Sequence, residues 1–546
     1  MTEWSTVSGD SFEMVFGYGD EAAFSSVVEQ LVADGVAGRI AEQDATLWGP
    51  EAEDEAGRRL AWVSLAEASR PLVEDIVALR ADLLERGLTR VVLCGMGGSS
   101  LAPEVICAAG GVDLTVLDSS HPDAVRAALE QDLGSTVVVV SSKSGGTVET
   151  DSQRRAYERA FTDAGIDPTE RIVVVTDPGS PLDESATDAG YHVFRADPDV
   201  GGRYSALTAF GLVPSGLAGA DIAALLDEAA TIQAALAEDS VDNPGLRLGG
   251  LLGAANLAGV DKLVLGDSGS SYPGLGDWAE QLVAESTGKD GLGILPIVVE
   301  STNAPNLTPN TPDSLLVTYG PGFVFDQIRP RSGWGATVDA PLGAQLLLWE
   351  HATAVAGRVI GINPFDQPDV ESAKEAARGM LDGSAADPSP AFVDGDVQIF
   401  ASAGWLAETA DSVAGAVASL LDQVVPDRGY LSVQAYLDRD ADASLADSRS
   451  ALARRTGRPV TFGWGPRFLH STGQYHKGGP PTGVYLQVTG EPAEDLPVPG
   501  REFTFRQFIS AQAIGDAQVL AEHGRPVLRL HVTSPAGLDQ VREALS

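Results

Sequence analysis

The sequence is poor in cysteine and in positive charge. Cys94 and Cys107 are the two cysteines among 546 residues, which is too few for a disulfide framework and typical of buried thiols in a reducing compartment. Lys and Arg number 36 against 77 Asp and Glu, which gives a formal net charge of −41. So acidic a surface repels phosphate backbones and anionic lipid, and we therefore expect neither a nucleic-acid nor a membrane partner.

Long apolar runs are also missing. No stretch approaches the roughly 18–20 apolar residues of a membrane-spanning helix, and the opening MTEWSTVSGDSFEM lacks the basic start and apolar core of a signal peptide. No His or carboxylate stands at metal-ligand spacing from the cysteines, so no metal is expected. With 44% apolar and 21% charged residues, the composition is that of a cytoplasmic globular protein with several domains.

Short β-branched runs alternate with helical stretches along most of the chain. Five such runs, at 91–94, 114–118, 136–141, 172–176 and 191–196, fall in residues 59–220. Runs that are apolar on both faces predict buried parallel strands, and the spacing suits crossover helices. Three more runs, at 262–267, 293–300 and 314–319, predict a second domain over 221–381. The predicted fold class is α/β, with two doubly wound parallel sheets.

The two ends of the chain have a different character. Residues 1–58 show weak periodicity and are interpreted as an N-terminal extension without an assigned role. A stretch rich in Pro, Gly, Ser and Asp at 382–396 predicts a linker. Beyond it, strand-like runs predict a C-terminal α/β region over 397–546.

Two polar loops follow predicted strands of the first domain, at residues 95–100 (GMGGSS) and 142–147 (SKSGGT). Turns from a strand into a helix expose N–H groups and hydroxyls to an anion, and both loops would leave the same edge of one sheet. Together they predict a phosphate-binding cup. Taken singly, the first is equally compatible with a tight turn, and Ser142 and Ser144 are equally compatible with helix caps.

Further segments carry charged or polar groups in unusual settings. Arg203 follows two glycines and can stabilise an anion or form a structural salt bridge. Gln281 and Glu285 lie four residues apart, hence on one helix face, where Glu285 is either a general base or an ordinary surface carboxylate. His351 lies in an apolar run and is interpreted as a packed helix residue. The stretches NPFDQPDVESAK (363–374) and HSTGQYHKGG (470–479) carry polar groups that a core would have to pair.

Five of these segments together resemble the glucose-6-phosphate isomerase family, which is built from two sugar-isomerase (SIS) domains. The segments are CGMGGSSLAP, SSKSGGTVET, VGGRYSALTAFG, AEQLVAESTGKD and GINPFDQPDVESAK, and they occur in the family's order over roughly 90–375. The resemblance implies SIS domains at 59–220 and 221–381. It also implies reversible isomerisation of D-glucose 6-phosphate and D-fructose 6-phosphate, in glycolysis and gluconeogenesis, through a cis-enediol(ate), with a sugar phosphate as partner and without a cofactor or metal.

The resemblance also implies roles for single residues. Glu285 matches the base that moves a proton between C2 and C1, Arg203 the cation beside the enediolate, and Lys374 a lysine that opens the sugar ring together with a histidine. The remaining matches are implied to bind substrate or its phosphate: Ser99, Ser142, Lys143, Ser144, Thr147, Gly202, Gln281 and Gln367.

The histidine stands in an unusual place. The family usually carries a His-Ser-x-Gly-Gln-like segment between its Glu-containing and Phe-Asp-Gln segments, but between 290 and 363 this chain has only His351. The counterpart LHSTGQYHKGG lies at 469–479, so His470 is predicted as the ring-opening residue. The chain most resembles the isomerase part of bifunctional transaldolase/glucose-6-phosphate isomerase proteins. The 58 residues ahead of the first domain are too few for a transaldolase barrel, which needs about 200.

Two alternatives to this activity stay open. One is an isomerase that also accepts mannose 6-phosphate. The other is a non-catalytic SIS protein that senses a sugar phosphate, but such a protein could dispense with Glu285, Arg203 and Lys374, all of which are present. A homodimer also stays open, because the family commonly forms dimers whereas the C-terminal region could supply His470 within one chain.

Overall fold

The computed structural model describes residues 4–299, 301, 303–307, 311–322, 325, 328–381, 388–402 and 404–546, and the side chains of 370–374 lie outside this description. Among the described residues, every helix is too short or too polar to cross a bilayer.

The chain begins with a strand pair and several helices: β1 (Ser5–Ser8), β2 (Glu13–Gly17), α1 (Glu21–Ala33), α2 (Val36–Ala41), α3 (Glu53–Ala56), α4 (Leu65–Ala68) and α5 (Arg70–Glu85). The first α/β unit follows, with β3 (Arg90–Gly95), α6 (Leu101–Ala109), β4 (Thr115–Leu117), α7 (Pro122–Leu129), β5 (Thr136–Ser141), α8 (Val148–Asp163), β6 (Ile172–Thr176), α9 (Pro181–Ala189), β7 (His192–Arg195) and α10 (Ala209–Ala218). Its strands are all parallel, in the order β4-β3-β5-β6-β7.

The second unit contains α11 (Ile222–Ala237), α12 (Pro244–Leu257), β8 (Lys262–Asp267), α13 (Leu275–Thr287), β9 (Leu295–Val298), β10 (Ser314–Tyr319), β11 (Gly335–Asp339), α14 (Leu342–Ile360) and α15 (Val370–Leu381). Its sheet has the order β1-β2-β11-β10-β8-β9. Strands β8 to β11 are parallel, and β2 pairs antiparallel with β11. Part of the predicted N-terminal extension is therefore built into the sheet of the second unit.

The C-terminal unit has a sheet and core of its own. It contains β12 (Phe392–Asp394), β13 (Val397–Ala401), α16 (Val413–Leu421), β14 (Tyr430–Tyr436), α17 (Ser448–Thr456), β15 (Val460–Trp464), α18 (Gly473–Gly478), β16 (Gly483–Gly490), α19 (Phe505–Glu522), β17 (Val527–Val532) and α20 (Pro535–Leu545). The strand order is β12-β13-β17-β16-β14-β15. Residues 392–394 of the predicted linker thus form a strand, and its residues 382–387 lie outside the described part.

The α/β class predicted from the apolar runs is confirmed. Strand β5, TVVVVS, is buried along its whole length, because helices cover both faces of the parallel sheet. The cores of the first two units are continuous, and the almost entirely buried helix α14 runs through them. The carboxyl ends of β3 and β5 lie close to helix α13 and the C-terminal unit.

Candidate active site

The loop after β3 is pressed against the Gly-Gly-Arg segment. Residues 97–99 form a short 3₁₀ turn in which Gly97 has φ +56°. A Cβ on Gly98 would lie 2.0 Å from the carbonyl oxygen of Gly202, so the two backbones touch as only glycine permits. This contact brings the predicted phosphate loop directly against Arg203. Ser99 ends the 3₁₀ turn and is half-buried.

The loop after β5 is braced by its own hydroxyls. The Oγ of Ser142 accepts the N–H of Gly145 at 3.2 Å and lies 3.3 Å from the Oγ1 of Thr147. The Oγ of Ser144 accepts the N–H of Gly146 at 3.2 Å. Thr147 then precedes helix α8 as its N-cap residue. The loop is therefore preorganised, with donors at the N-terminus of a helix, where an anion is favoured.

Lys143 of the same loop points elsewhere. Its Nζ lies 2.7 Å from the carboxylate of Asp177 and donates to the carbonyl oxygen of Pro198 at 3.2 Å. In this arrangement the ammonium charge is already paired, and Lys143 is not among the residues that line the cavity described next. Its assignment to phosphate binding stays a prediction.

A cavity of about 310 Å³ opens beside the β5 loop, a volume typical of small-ligand pockets. It lies between the first unit, helix α15 and the C-terminal unit. Its walls are formed by Ser144, Gly146, Thr147, Val148, Glu149, Ala377, Arg378, Leu381, Leu469, His470, Lys477, Phe508 and Gln512. The structure thus brings the predicted phosphate loop and the predicted ring-opening histidine to one cavity.

His470 is oriented by a buried carboxylate. Its Nε2 lies 2.8 Å from Oε1 of Glu149, which also accepts a hydrogen bond from Nε2 of Gln512 at 2.7 Å. The Oε1 of Gln512 in turn accepts the Oγ hydroxyl of Ser120 at 2.6 Å. Because the carboxylate can only accept, the proton of a neutral imidazole sits on Nε2, and Nδ1 is left able to take up a proton.

A partly buried ion-pair network holds the C-terminal unit against the first unit beside His470. The guanidinium of Arg467 contacts the carboxylates of Glu104 and Asp118, and Nη2 of Arg439 lies 3.0 Å from Glu104. Burial alone would raise the pKa of Glu104, but Arg467 and Arg439 bring it below its ordinary value. Because Arg467 and His470 belong to one short 3₁₀ helix, this network also determines where the imidazole lies.

The predicted base lies in a second group next to the cavity. Oε1 of Glu285 is 3.2 Å from Nη1 of Arg203, and Oε2 accepts a hydrogen bond from Nε2 of Gln281 at 3.1 Å. Nη1 of Arg203 also donates to Oε1 of Gln367 at 2.9 Å, and its Nε donates to Ser286 at 2.8 Å. Glu285 and Arg203 are both buried, which strengthens their interaction.

Gln281 joins the two groups. Its Nε2 donates both to Glu285 and, at 2.7 Å, to the carbonyl oxygen of His470. Glu285 and Arg203 are not among the described residues that line the cavity, but Gln281 connects Glu285 to His470, which does line it. The predicted placement of Gln281 and Glu285 on one face of a helix is what α13 shows.

Lys374 lies among the residues whose side chains are not described, and its assignment stays a prediction. The helix that carries it, α15, begins beside the C-terminal unit. Gln474 accepts the N–H of Asp369 at 2.9 Å and donates to the carboxylate of Asp369 at 2.7 Å. The same amide donates to the carbonyl oxygen of Gly288 at 2.9 Å. Gln474 therefore ties the segment after His470 to the ends of two helices that carry predicted site residues.

Several residues at the site were not predicted from the sequence. Glu149 is one residue of the quoted motif SSKSGGTVET but looked like an ordinary first-turn acid of α8. Gln512 lies in the middle of α19 and has no distinguishing neighbours in the sequence. Lys477 lines the cavity while its Nζ lies 2.6 Å from the carboxylate of Asp516. Within the described residues, no cluster of His, Cys, Asp and Glu is arranged to hold a metal ion.

Comparisons with known proteins show which family this chain resembles. The family model for phosphoglucose isomerase matches residues 81–289. A probable glucose-6-phosphate isomerase of Natronomonas pharaonis is 30% identical over 402 residues, which is 64% of this chain and 91% of the relative. A glucose-6-phosphate isomerase of Gloeothece citriformis is 28% identical over 54% of this chain and 66% of its own length.

Two solved structures share the fold. A hypothetical protein of Thermus thermophilus has a TM-score of 0.58 and 24% identity, over 67% of this chain and 99% of its own. A glucose-6-phosphate isomerase of Chlamydia trachomatis has a TM-score of 0.57 and 21% identity, over 70% of this chain and 90% of its own. The parallel sheets and the polar loops at their carboxyl edges define an SIS-type protein. Within that class, the chain belongs to the glucose-6-phosphate isomerase family.

Proposed function

We propose that this chain is an aldose–ketose isomerase that interconverts D-glucose 6-phosphate and D-fructose 6-phosphate, in glycolysis and gluconeogenesis. The observation that carries the proposal is the buried group of Glu285, Arg203 and Gln281. Gln281 connects this group to His470, which lines a cavity together with the predicted phosphate-binding loop after β5. A carboxylate beside a guanidinium is what an enediolate reaction requires, because one group moves the proton while the other stabilises the negative oxygen.

Ring opening is the first step on a cyclic sugar phosphate. The phosphate is bound by the hydroxyls and N–H groups of the β5 loop, with Ser144 and Thr147 facing the cavity. Nδ1 of His470 accepts the proton of the anomeric hydroxyl, and Glu149 stabilises the imidazolium that forms. The imidazolium then returns this proton to the ring oxygen as the bond between that oxygen and the anomeric carbon breaks. Lys374 is assigned to this step by its match to the family.

Isomerisation follows on the open chain. Glu285 removes the proton from C2 of the aldose, and the electrons move to the carbonyl oxygen to give a cis-enediolate. Arg203 stabilises that oxygen, while Gln281 and Gln367 position the substrate. A proton passes from the hydroxyl on C2 to the oxygen on C1, and Glu285 returns its own proton to C1 on the same face, which gives the ketose. Every electron pair stays within the sugar, so the reaction consumes no oxidant or reductant.

The protein is proposed to act in the cytoplasm. Cys94 and Cys107 are both buried free thiols, and burial raises the pKa of Cys107 to about 12. Neutral, enclosed thiols suit a reducing compartment.

Glu285→Gln tests the proposal directly. The assay supplies fructose 6-phosphate without any cofactor for the isomerase and detects glucose 6-phosphate with a coupling enzyme. Loss of the base should lower kcat by about 10²–10⁴-fold. Glu280→Gln is the matched control, because it removes a half-buried carboxyl from the same helix α13, one that interacts with Arg449 and Arg467, and should stay active. Full activity of Glu285→Gln would refute the assigned base.

His470→Ala tests the ring-opening step. On fructose 6-phosphate the variant should be slow, whereas 5-deoxyfructose 6-phosphate lacks the hydroxyl that closes the ring and should react almost normally. Equal loss on both substrates would contradict the assignment. Wild-type protein that binds a sugar phosphate without turnover would instead be a sensor, and formation of mannose 6-phosphate would reveal the broader isomerase.

A further inference from the structure

Lys289 lies four residues after the predicted base, two residues beyond the last residue of helix α13, and is almost completely buried. Its Nζ donates to the carbonyl oxygens of Asn363 and Asp366 at 2.6 and 2.7 Å. It also donates to Oδ1 of Asp366 at 2.5 Å. All three acceptors belong to one loop, residues 363–366, which leads into Gln367.

Arg203 also donates hydrogen bonds to this loop. Its Nη2 donates to the carbonyl oxygens of Pro364 and Asp366 at 2.8 and 2.9 Å. The oxygen of Asp366 is thus shared between the ammonium and the guanidinium. Beyond it, Gln367 accepts from Nη1 of Arg203, the atom that also faces Glu285. A movement of this loop would therefore change the surroundings of the base.

We propose that Lys289 is a positioning residue for the isomerisation: its ammonium holds the 363–366 loop so that Gln367 and Arg203 keep their places beside Glu285. The inference rests on the proposed function and adds to it a residue that acts through the loop rather than on the substrate. An ammonium suits this task because it offers three hydrogen-bond donors, whereas a neutral amine offers two.

The charge state of Lys289 provides a readout. Burial first, and then the neighbouring Arg203, lower its pKa to about 8, while the carboxylates of Asp366 and Glu285 act in the opposite direction. As the pH rises through about 8, the ammonium loses its charge and one hydrogen-bond donor, so its hydrogen bonds to the 363–366 loop weaken. Activity should therefore decline with a midpoint near that pH.

Stability responds in the opposite sense. The unfolded chain keeps this lysine protonated up to its ordinary pKa of 10.5, whereas the folded chain releases the proton near 8. Between these values the unfolded state binds more protons, so the contribution of Lys289 favours the folded state increasingly as the pH rises. A purely structural lysine would not produce an activity decline in this window.

The experiment compares Lys289→Met with Lys262→Met. Lys262 is the matched control because it is also a fully buried ammonium of the second unit, paired with Asp261 and Asp313 at the start of β8. Both variants should lose thermal stability. Only Lys289→Met should lower kcat for fructose 6-phosphate, by about 10²-fold with little change in KM, as expected for a displacement of about 1 Å.

Lys289→Arg completes the test. A guanidinium stays charged throughout the range, so the decline near pH 8 should disappear or move upward even if kcat is reduced. An unchanged kcat in Lys289→Met, an equal loss in Lys262→Met, or an unmoved alkaline midpoint in Lys289→Arg would each overturn the proposal. If Lys289→Met fails to fold, the midpoint of Lys289→Arg decides. Absence of wild-type turnover would refute the proposed function itself.

Discussion

Gly98→Ala should disable the enzyme through a backbone collision. A Cβ at this position would lie 2.0 Å from the carbonyl oxygen and 2.5 Å from the carbonyl carbon of Gly202. Nonbonded heavy atoms are comfortable at about 3.5–4.0 Å. The Gly202 segment must therefore retreat by more than about 1 Å, because neither backbone atom can rotate away as the end of a side chain can.

The cost of this retreat falls on Arg203. Overpacking a close contact costs about 1–3 kcal/mol of the free energy of unfolding. Because Arg203 directly follows Gly202, its guanidinium moves relative to Glu285 and Gln367. A displacement of about 1 Å in a catalytic group costs about 10²-fold in rate, so we expect kcat/KM to fall by about two orders of magnitude while the protein still folds.

The control for this change is Gly201→Ala. A Cβ there would meet nothing closer than 3.8 Å, at Arg59 and Tyr204, and φ is −68°, so alanine fits without strain. The assay is fructose 6-phosphate turnover together with denaturant unfolding of both variants. Wild-type activity in Gly98→Ala, or an equal loss in Gly201→Ala, would refute this account of the contact.

Three further predictions concern charge and positioning away from the base. Among the described residues neither carboxyl oxygen of Glu350 has a hydrogen-bond partner, and burial raises its pKa well above 4.5. Above pH 4.5 the folded state therefore keeps a proton on Glu350 that the unfolded chain releases. Glu350→Gln should stabilise the protein increasingly as the pH rises, by up to about 1.4 kcal/mol per pH unit until the folded pKa is reached. Thermal melts that show the same difference between variant and wild type at pH 5 and at pH 8 would contradict this. Arg467→Met should cost about 1–3 kcal/mol in denaturant unfolding, because it removes one of the two guanidiniums that neutralise Glu104 and Asp118 and leaves the other, Arg439, in contact with both. Gln512→Leu should slow the cyclic substrate more than 5-deoxyfructose 6-phosphate, since it releases the Glu149 carboxylate, and an equal effect on both would exclude a role in ring opening.

Much of the fold follows from local pattern. Strands such as β5 are buried on both faces and therefore form continuous apolar runs that any reading of the sequence can find. Strands β1 and β2 were not predicted, because each has only four or five residues and these include both exposed and buried positions. Strand β11 is a five-residue segment that begins with Gly335, and nothing in its sequence distinguishes it. These elements become strands only because the sheet beside them is already present.

The site was predictable where a motif places chemistry on one element. Gln281 and Glu285 share a helix face at fixed spacing, and the structure shows them hydrogen-bonded. What the sequence could not reveal are partners that meet only in three dimensions. Gln512 donates a hydrogen bond to Glu149, although more than 360 residues separate them in the sequence. Lys143 forms an ion pair with Asp177, which belongs to a different segment of the chain.

The pairing of β2 with β11 also has a consequence for biosynthesis. Phe16 lies opposite Ala336, so β2 is translated about 320 residues before the strand with which it pairs. At about 5–20 residues per second this interval lasts from roughly 15 seconds to a minute. During that time Met14 and Phe16, which are fully buried in the folded protein, lack the neighbouring strand that covers them. The first α/β unit can fold during this interval, while the apolar segment around Met14 and Phe16 remains accessible to chaperones.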